Sequence, residues 1–408
     1  MKNYYKKILF LIFFIVILSI VGMRIFYNDT FGNNFKNYKI VAGDNLHQDG
    51  FIIFSYPYDY SHIAILSESA NFVDLIAISG IGEWVFPTQR ELKVFKVRVN
   101  LNTHGITQNE IFKIEGYRPT GITVSQKNEI YFSYVDYVKK NEDFKGGKGS
   151  LKVIKLTNIF QDNVISEIVF QTPWVDKTLI VQTGGAIAID PYSNLYLSVG
   201  DFDQFENPDF VENSNFLSKY LILNKNTMKF DIFARGTRNS QGLFYSHLFD
   251  AMLFTEHGPY GGDEVNILSN KTHYGWPFTS FGVWYPEQEH IETTWTTNHE
   301  GYEKPIFQFS PSIGIKGISQ FGITASEFHH HPNAFLITSS KGLYMSNSDI
   351  NNLEFNRVFD GGRDIVVTKS GVIFQTQTQS NIKDHISGGG SFAIIRNPNK
   401  LPPQINLH

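Results

Sequence analysis

Beyond about residue 37 the chain has no long apolar segment of 3.6-residue period. Short strand-like runs recur instead, among them Leu75–Ile78, Leu92–Val97, Leu195–Ser198, Met252–Thr255 and Val372–Gln375. Turns rich in Gly, Asn, Asp, Pro and Ser separate them. One phrase repeats: an apolar run, a tight turn, a second apolar run. It is read in GITVSQKNEIYFSY (121–134), AIAIDPYSNLYLSVGD (186–201) and DIVVTKSGVIFQTQT (364–378). The phrase reads as the middle hairpin of a repeated four-stranded sheet. Small sheets repeated radially make a β-propeller; a β-sandwich pair is the competing all-β arrangement.

Composition removes several functions. The formal charge of −4 does not suit a general nucleic-acid binder, which needs a basic surface. With no Cys there is no disulfide framework, thiol nucleophile, zinc-thiolate site or lipid-anchoring thiol. No His-Glu-x-x-His or Gly-x-Ser-x-Gly motif occurs, which leaves zinc-protease and serine-hydrolase chemistry without support. GGKGS (146–150) lacks phosphate-loop spacing and reads as a hairpin turn.

Residues 1–30 stand apart. Lys2, Lys6 and Lys7 precede the apolar run Ile8–Met23, and Arg24 closes it. A basic segment before an apolar one is an export signal, read either as an uncleaved signal anchor or as a cleaved signal peptide. Flanking charge places the N-terminus inside and the rest in the periplasm or another extracytoplasmic space, with 8–23 as the inner-membrane anchor if uncleaved. These 30 residues hold four basic residues and Asp29, so the remainder carries 31 basic and 38 acidic residues, a net −7. Residues 31–396 form the expected domain and 397–408 a tail.

Three stretches carry a resemblance: GTRNSQGL (236–243), TEHGPYGGDEVNIL (255–268) and HYGWP (273–277). In order and spacing they resemble the soluble glucose/sorbosone dehydrogenase family, the aldose dehydrogenases dependent on pyrroloquinoline quinone (PQQ). Weaker likeness extends over roughly 115–380, while 30–110 matches poorly. The resemblance implies an all-β, six-bladed β-propeller following the N-terminal export or membrane helix. It implies Ca²⁺ and PQQ on the propeller axis, a sugar or glycan as partner, and a quinone or other electron acceptor. No nucleic acid is expected, and membrane contact only through the N-terminal segment.

Residue by residue, the resemblance puts Gly258 and Pro259 in the loop whose carbonyls hold the ion, with Asp263 and Glu264 as supporting or further metal ligands. Arg238 and Asn239 match the pair facing the quinone. Arg363 matches a cation for a cofactor carboxylate, and Lys341 lies at or beside another. Guanidinium and ammonium groups suit PQQ because it carries three carboxylates. His257 only precedes the ion loop, Tyr274 and Trp276 read as packing residues, and His329–His331 as an exposed loop.

One departure bears on activity. The family's base is a His in a His-x-Gly-Gly-Arg stretch; here that stretch is Gln182-Thr183-Gly184-Gly185-Ala186. Gln182 exchanges hydrogen bonds but takes up no proton near neutral pH. Loss of a general base costs about 10²–10⁴ in rate. Asp201 and Asp203 are the nearby acids that can substitute. Two functions follow: a sugar dehydrogenase with altered proton transfer, or a propeller repurposed to bind carbohydrate or protein at the cell surface.

Overall fold

The computed structural model describes residues 60–79, 91–103, 105–116, 118–139, 147–177, 182–284, 295–321, 333–359 and 362–369, with the flanking strands at 39–41, 52–56, 371–377 and 390–396. The N-terminal segment 1–30, the His329–His331 triplet and the tail lie outside the described residues. Among the described residues no helix is long and apolar enough to cross a membrane.

Five antiparallel sheets are each made from one continuous stretch of chain. The first comprises Tyr60–Glu68, Phe72–Ser79, Arg90–Asn100 and Ile106–Gly116. The second starts with Arg118–Val124 and the third with Gly184–Ile189. The fourth starts with Ser240–Ser246 and the fifth with Ile315–Gln320. The remaining sheet is composite: Gly362–Thr368, Gly371–Gln377 and Gly390–Arg396 pair onward with Ile52–Tyr56 and Lys39–Val41 from the other end of the chain. The first strand of each sheet packs on the first strand of the next, and Gly362–Thr368 packs back on Tyr60–Glu68. This closed ring is a β-propeller with five continuous blades, not the six that the resemblance implies, because the remaining sheet is a composite clasp built from both ends of the chain. Closure leaves no free inner edge, which is how a repeated antiparallel architecture avoids edge pairing.

The repeated phrase is the innermost hairpin of each blade, not the middle one. Gly121–Tyr134 spans the first two strands of the second blade, and 186–201 those of the third. Innermost strands are covered on both faces, so their runs are the most continuously apolar and the most legible.

A hydroxyl in the second strand joins successive blades. Ser198 Oγ donates to Ser240 O at 3.2 Å, Thr338 Oγ1 to Arg363 O at 3.1 Å, and Ser133 Oγ to Gly185 O at 2.5 Å. Thr255 Oγ1 likewise donates to Lys316 O. Three of these hydroxyls also accept a backbone N–H from their own innermost strand, at Gly185, Gly242 and Gly317. The innermost strands are bulged there, and the hydroxyl satisfies the amide that the bulge frees. Glycine is required where blades approach most closely. A Cβ at Gly242 would lie 2.5 Å from Lys316 O, and one at Gly121 2.7 Å from Gly185 O. The apolar cores lie between blades, for example Ile76, Leu92, Phe132 and Ile154 between the first and second.

Candidate functional site

The innermost strands run the same way along the ring, so their first residues gather at one end of the axis. Arg118, Lys316 and Arg363 stand there, 7%, 4% and 5% exposed. They influence one another strongly. Burial, then Arg363, pushes Arg118 down to about 9. Burial, then Arg363 and Arg118, pushes Lys316 down to about 7. His62, on Tyr60–Glu68, is held well below its ordinary value by burial and by the same three cations. Burial disfavours a charged form and like charges add to the cost, so this end of the axis is electrostatically poised for an anion.

Arg238 and Asn239 border the cluster. Arg238 donates from its backbone N–H to Glu256 Oε1 at 2.6 Å and from Nη1 to His257 O at 2.8 Å. Its guanidinium lies 5.5 Å from the Trp276 ring centroid. Its Nε is buried and has no hydrogen-bond partner among the described residues. Asn239 Oδ1 accepts from Gly184 N at 3.1 Å and Gln241 Nε2 at 3.0 Å, tying the third and fourth blades together. Glu256, beneath Arg238, is pushed up to about 8 by burial and then by Glu264. Half-buried His257 is held below its ordinary value, chiefly by desolvation.

Gln182 stands beside this group. It adopts φ 58°, a left-handed conformation uncommon outside glycine. Thr183 Oγ1, its neighbour, accepts from Arg118 Nη2 at 3.1 Å. Gln182 Oε1 is buried with no hydrogen-bond partner among the described residues. An orphaned amide oxygen beside a cationic pocket suits a ligand that brings a donor.

The other expected site residues each make specific contacts with the protein. Asp201 is fully buried; its Oδ2 accepts from Trp276 Nε1 at 2.8 Å and its Oδ1 from Asp203 N at 2.9 Å. It braces the ring under Arg238 and presents no surface from which to take a substrate proton. Asp263 Oδ2 accepts three backbone N–H groups, from Ile313, Gly314 and Ile315, at 2.9, 2.7 and 3.1 Å. It fixes the entry to the strand bearing Lys316. Glu264 faces His299 at 3.4 Å and Asn266 Nδ2 at 3.3 Å. Pro259 O accepts from Gly262 N at 2.9 Å and Ser312 Oγ at 3.0 Å, which occupies both lone pairs. The Gly258 turn is pinched: a Cβ there would lie 1.9 Å from Gly262 O. Among the described residues no group of three or more His, Cys, Asp or Glu is arranged to hold a metal ion.

Lys341 is exposed, and its Nζ donates to Ser312 O at 2.5 Å. Lys316, which the sequence reading did not single out, stands in the cluster. His62, Arg118 and Lys316 are the site residues that sequence reading missed. The available signal was a basic residue opening an otherwise apolar phrase, as in RPTGITV, IKGISQ and RDIVVT. Tyr274 and Trp276 are 3% exposed and pack the turn, Tyr274 Oη donating to Ile267 O at 2.6 Å.

Past His62 and Asp364 the axis continues as a cavity of about 570 Å³ toward the far ends of the innermost strands. Its walls are mainly aliphatic, including Ile65, Val124, Ile189 and Val367. Asp364 Oδ2 accepts from Ile63 N at 2.9 Å, closing the ring between the composite sheet and the first blade.

The chain is thus a propeller with a buried cationic group at one end of its axis. The glucose/sorbosone dehydrogenase family model matches residues 122–383, and the chain belongs to that family. Over 89 residues it is 34% identical to the aldose sugar dehydrogenase YliI of Escherichia coli (strain K12), a match covering 22% of this chain and 24% of that relative. Two solved structures share the fold. One is the soluble aldose sugar dehydrogenase from Escherichia coli in its apo form, with TM-score 0.61, 16% identity, and coverage of 83% of this chain and 96% of that one. The other is the PQQ-bound aldose sugar dehydrogenase from Streptomyces coelicolor, with TM-score 0.58, 14% identity, and coverage of 88% and 97%.

Proposed function

We propose that this protein is an exported, PQQ-binding sugar dehydrogenase-like propeller whose proton-transfer step is weakened by Gln182. The observation that carries the reading is the buried group Arg118, Lys316 and Arg363, three cations converging on one end of the axis. A tricarboxylate relieves their mutual repulsion and is held by charge-assisted hydrogen bonds. When bound, PQQ supplies a two-electron acceptor for a carbon-bound hydrogen of the sugar.

The chain's own residues divide the remaining work. Arg118, Lys316 and Arg363 hold carboxylate. Arg238, oriented by Glu256, His257 O and Trp276, presents a fixed positive charge where oxygen charge develops. Gln182 Oε1 accepts a hydrogen bond from the reacting hydroxyl and orients it. Its amide does not take the proton, so the hydroxyl gives it to solvent water, more slowly than it would to an imidazole. The contacts of Pro259, Asp263 and Glu264 do not fit a ready calcium site.

The export reading rests on the charge pattern of residues 1–30. The second reading, a repurposed binding propeller, is supported by Gln182 standing where the resemblance expects the family's base. One experiment separates the two. The full chain is loaded with PQQ, and dye reduction is measured over a panel of aldoses, with Gln182→His in parallel. The proposal expects slow turnover that rises by about 10²–10⁴ in the variant. Binding of PQQ without turnover in either protein leaves the binding propeller. Absence of PQQ binding overturns the dehydrogenase reading.

A further inference from the structure

Arg118 and Thr183 meet where the first strand of the second blade passes the entry to the third. Arg118 Nη2 donates to Thr183 Oγ1 at 3.1 Å, and the two residues are 7% and 0% exposed. Two glycines let the strands come this close. A Cβ at Gly121 would lie 2.7 Å from Gly185 O, and one at Gly185 would lie 2.1 Å from Thr120 Oγ1. Neither position has room for a side chain, so the approach of the two stretches is fixed by the sequence.

Thr183 is itself held firmly. Its carbonyl accepts from Gly200 N at 2.9 Å, and Gln182 O accepts from Phe202 N at 3.0 Å. Gly184 N donates to Asn239 Oδ1 at 3.1 Å, while Gly185 N and Ala186 N donate to Ser198 Oγ at 3.0 and 2.9 Å. The chain is thus tied on both sides of Thr183, to its own blade and to the fourth. Gln182, Gly184 and Gly185 have φ of 58°, 63° and 100°. A left-handed side-chain-bearing residue such as Gln182 persists where its surroundings over-determine it. The family stretch His-x-Gly-Gly-Arg leaves its second position open, so the resemblance gives Thr183 no role.

Arg118 benefits from a fixed point of this kind. A guanidinium is a rigid fork on a long, freely rotating stem, and it meets a carboxylate in two parallel hydrogen bonds only when the fork is aimed. Arg363 repels Arg118 in the free protein, which favours turning the fork aside. The nearby carbonyls of Gln182, Thr183 and Gly185 each already accept a hydrogen bond. The Thr183 hydroxyl adds an acceptor that the backbone there does not.

We propose that Thr183 is a positioning residue for the axial anion site, its hydroxyl aiming the Arg118 fork before the anion arrives. The inference rests on the cofactor reading above and adds a residue through which that site is built. Thr183 acts through Arg118. A charged group ordered in advance removes part of the ordering cost of binding.

The test is a double-mutant cycle read by calorimetric titration of the full chain with PQQ. Thr183→Val keeps the shape and removes the acceptor, and it should raise the dissociation constant about five- to twentyfold. Thr183→Ser keeps the hydroxyl and should stay within about threefold of the unaltered chain. In an Arg118→Met background, Thr183→Val should add less than about twofold, because the group it aims is gone. A merely structural role would weaken binding equally in both backgrounds. If Thr183→Val does not fold, Thr183→Ala gives the same comparison. Equal losses in both backgrounds, or no loss on removing the hydroxyl, overturn the inference and leave the cofactor reading standing. Absence of PQQ binding by the unaltered chain overturns both.

Discussion

Gln182 and Arg238 are joined through Gly200. Their carbonyl oxygens accept the N–H groups of Phe202 and Asp201, each at 3.0 Å, and both converge on the Gly200 α-carbon. A Cβ at position 200 would lie 2.1 Å from Gln182 O and 2.8 Å from Arg238 O. Gly200→Ala must therefore push the two site residues apart. The expected outcome is a stability loss of about 1–3 kcal/mol by thermal unfolding. PQQ affinity should fall at least about tenfold by calorimetry, because the cost lies in the site's own backbone.

Arg118 and Lys341 should behave oppositely, although both are basic. Arg118→Met removes one charge-assisted contact and should raise the PQQ dissociation constant about 10- to 100-fold. The same change relieves repulsion with Arg363 in the free protein, so its melting temperature should hold or rise. Lys341→Ala should change PQQ affinity by less than about threefold, because its ammonium is exposed and held on Ser312 O.

Lys316 makes stability and binding depend on pH with opposite signs. In the free fold it titrates near 7, against about 10.4 for an unfolded lysine. Between those values the unfolded state binds more protons, so the free protein should gain stability as pH rises through that window. An anion at the axis favours the charged lysine, so PQQ binding above pH 7 should take up a proton. Affinity should then fall by up to about tenfold per pH unit. Calorimetry in buffers of different ionisation enthalpy measures the uptake, and Lys316→Met should abolish its part.

Asp263 is assigned to the fold by its three N–H donors. Asp263→Asn should lower stability by at least about 1.5–3 kcal/mol, since a neutral amide accepts those bonds more weakly. Added calcium should not restore the lost melting temperature. Recovery of wild-type stability by calcium would return Asp263 to an ion site.

Much of the propeller is legible in the sequence because innermost strands are buried on both faces. AIAI and LYL announce themselves by unbroken apolar character. The hydroxyls that join the blades, Ser133, Ser198, Thr255 and Thr338, sit at one place in the second strand, and pairing alone reveals their partners. The composite sheet is hidden because its members lie at opposite ends of the chain. Arg238 and Asn239 are legible from a local motif. Arg118, Lys316 and His62 are not, since each is one basic residue in a mainly apolar strand with no motif around it. Only ring closure brings them together. The contacts of Asp201 and Asp263 are hidden in the sequence for a related reason: their donors include residues far along the chain, Trp276 for the first and Ile313, Gly314 and Ile315 for the second.

The account stands or falls on the axial cations. The most direct measurement is a calorimetric titration of the full chain with PQQ, run beside Arg118→Met and Arg363→Met. The account predicts one site per chain, of micromolar or tighter affinity, weakened about 10- to 100-fold in each variant. Binding of equal strength in all three proteins would contradict it, as would no heat and no shift in melting temperature on adding PQQ to the unaltered chain.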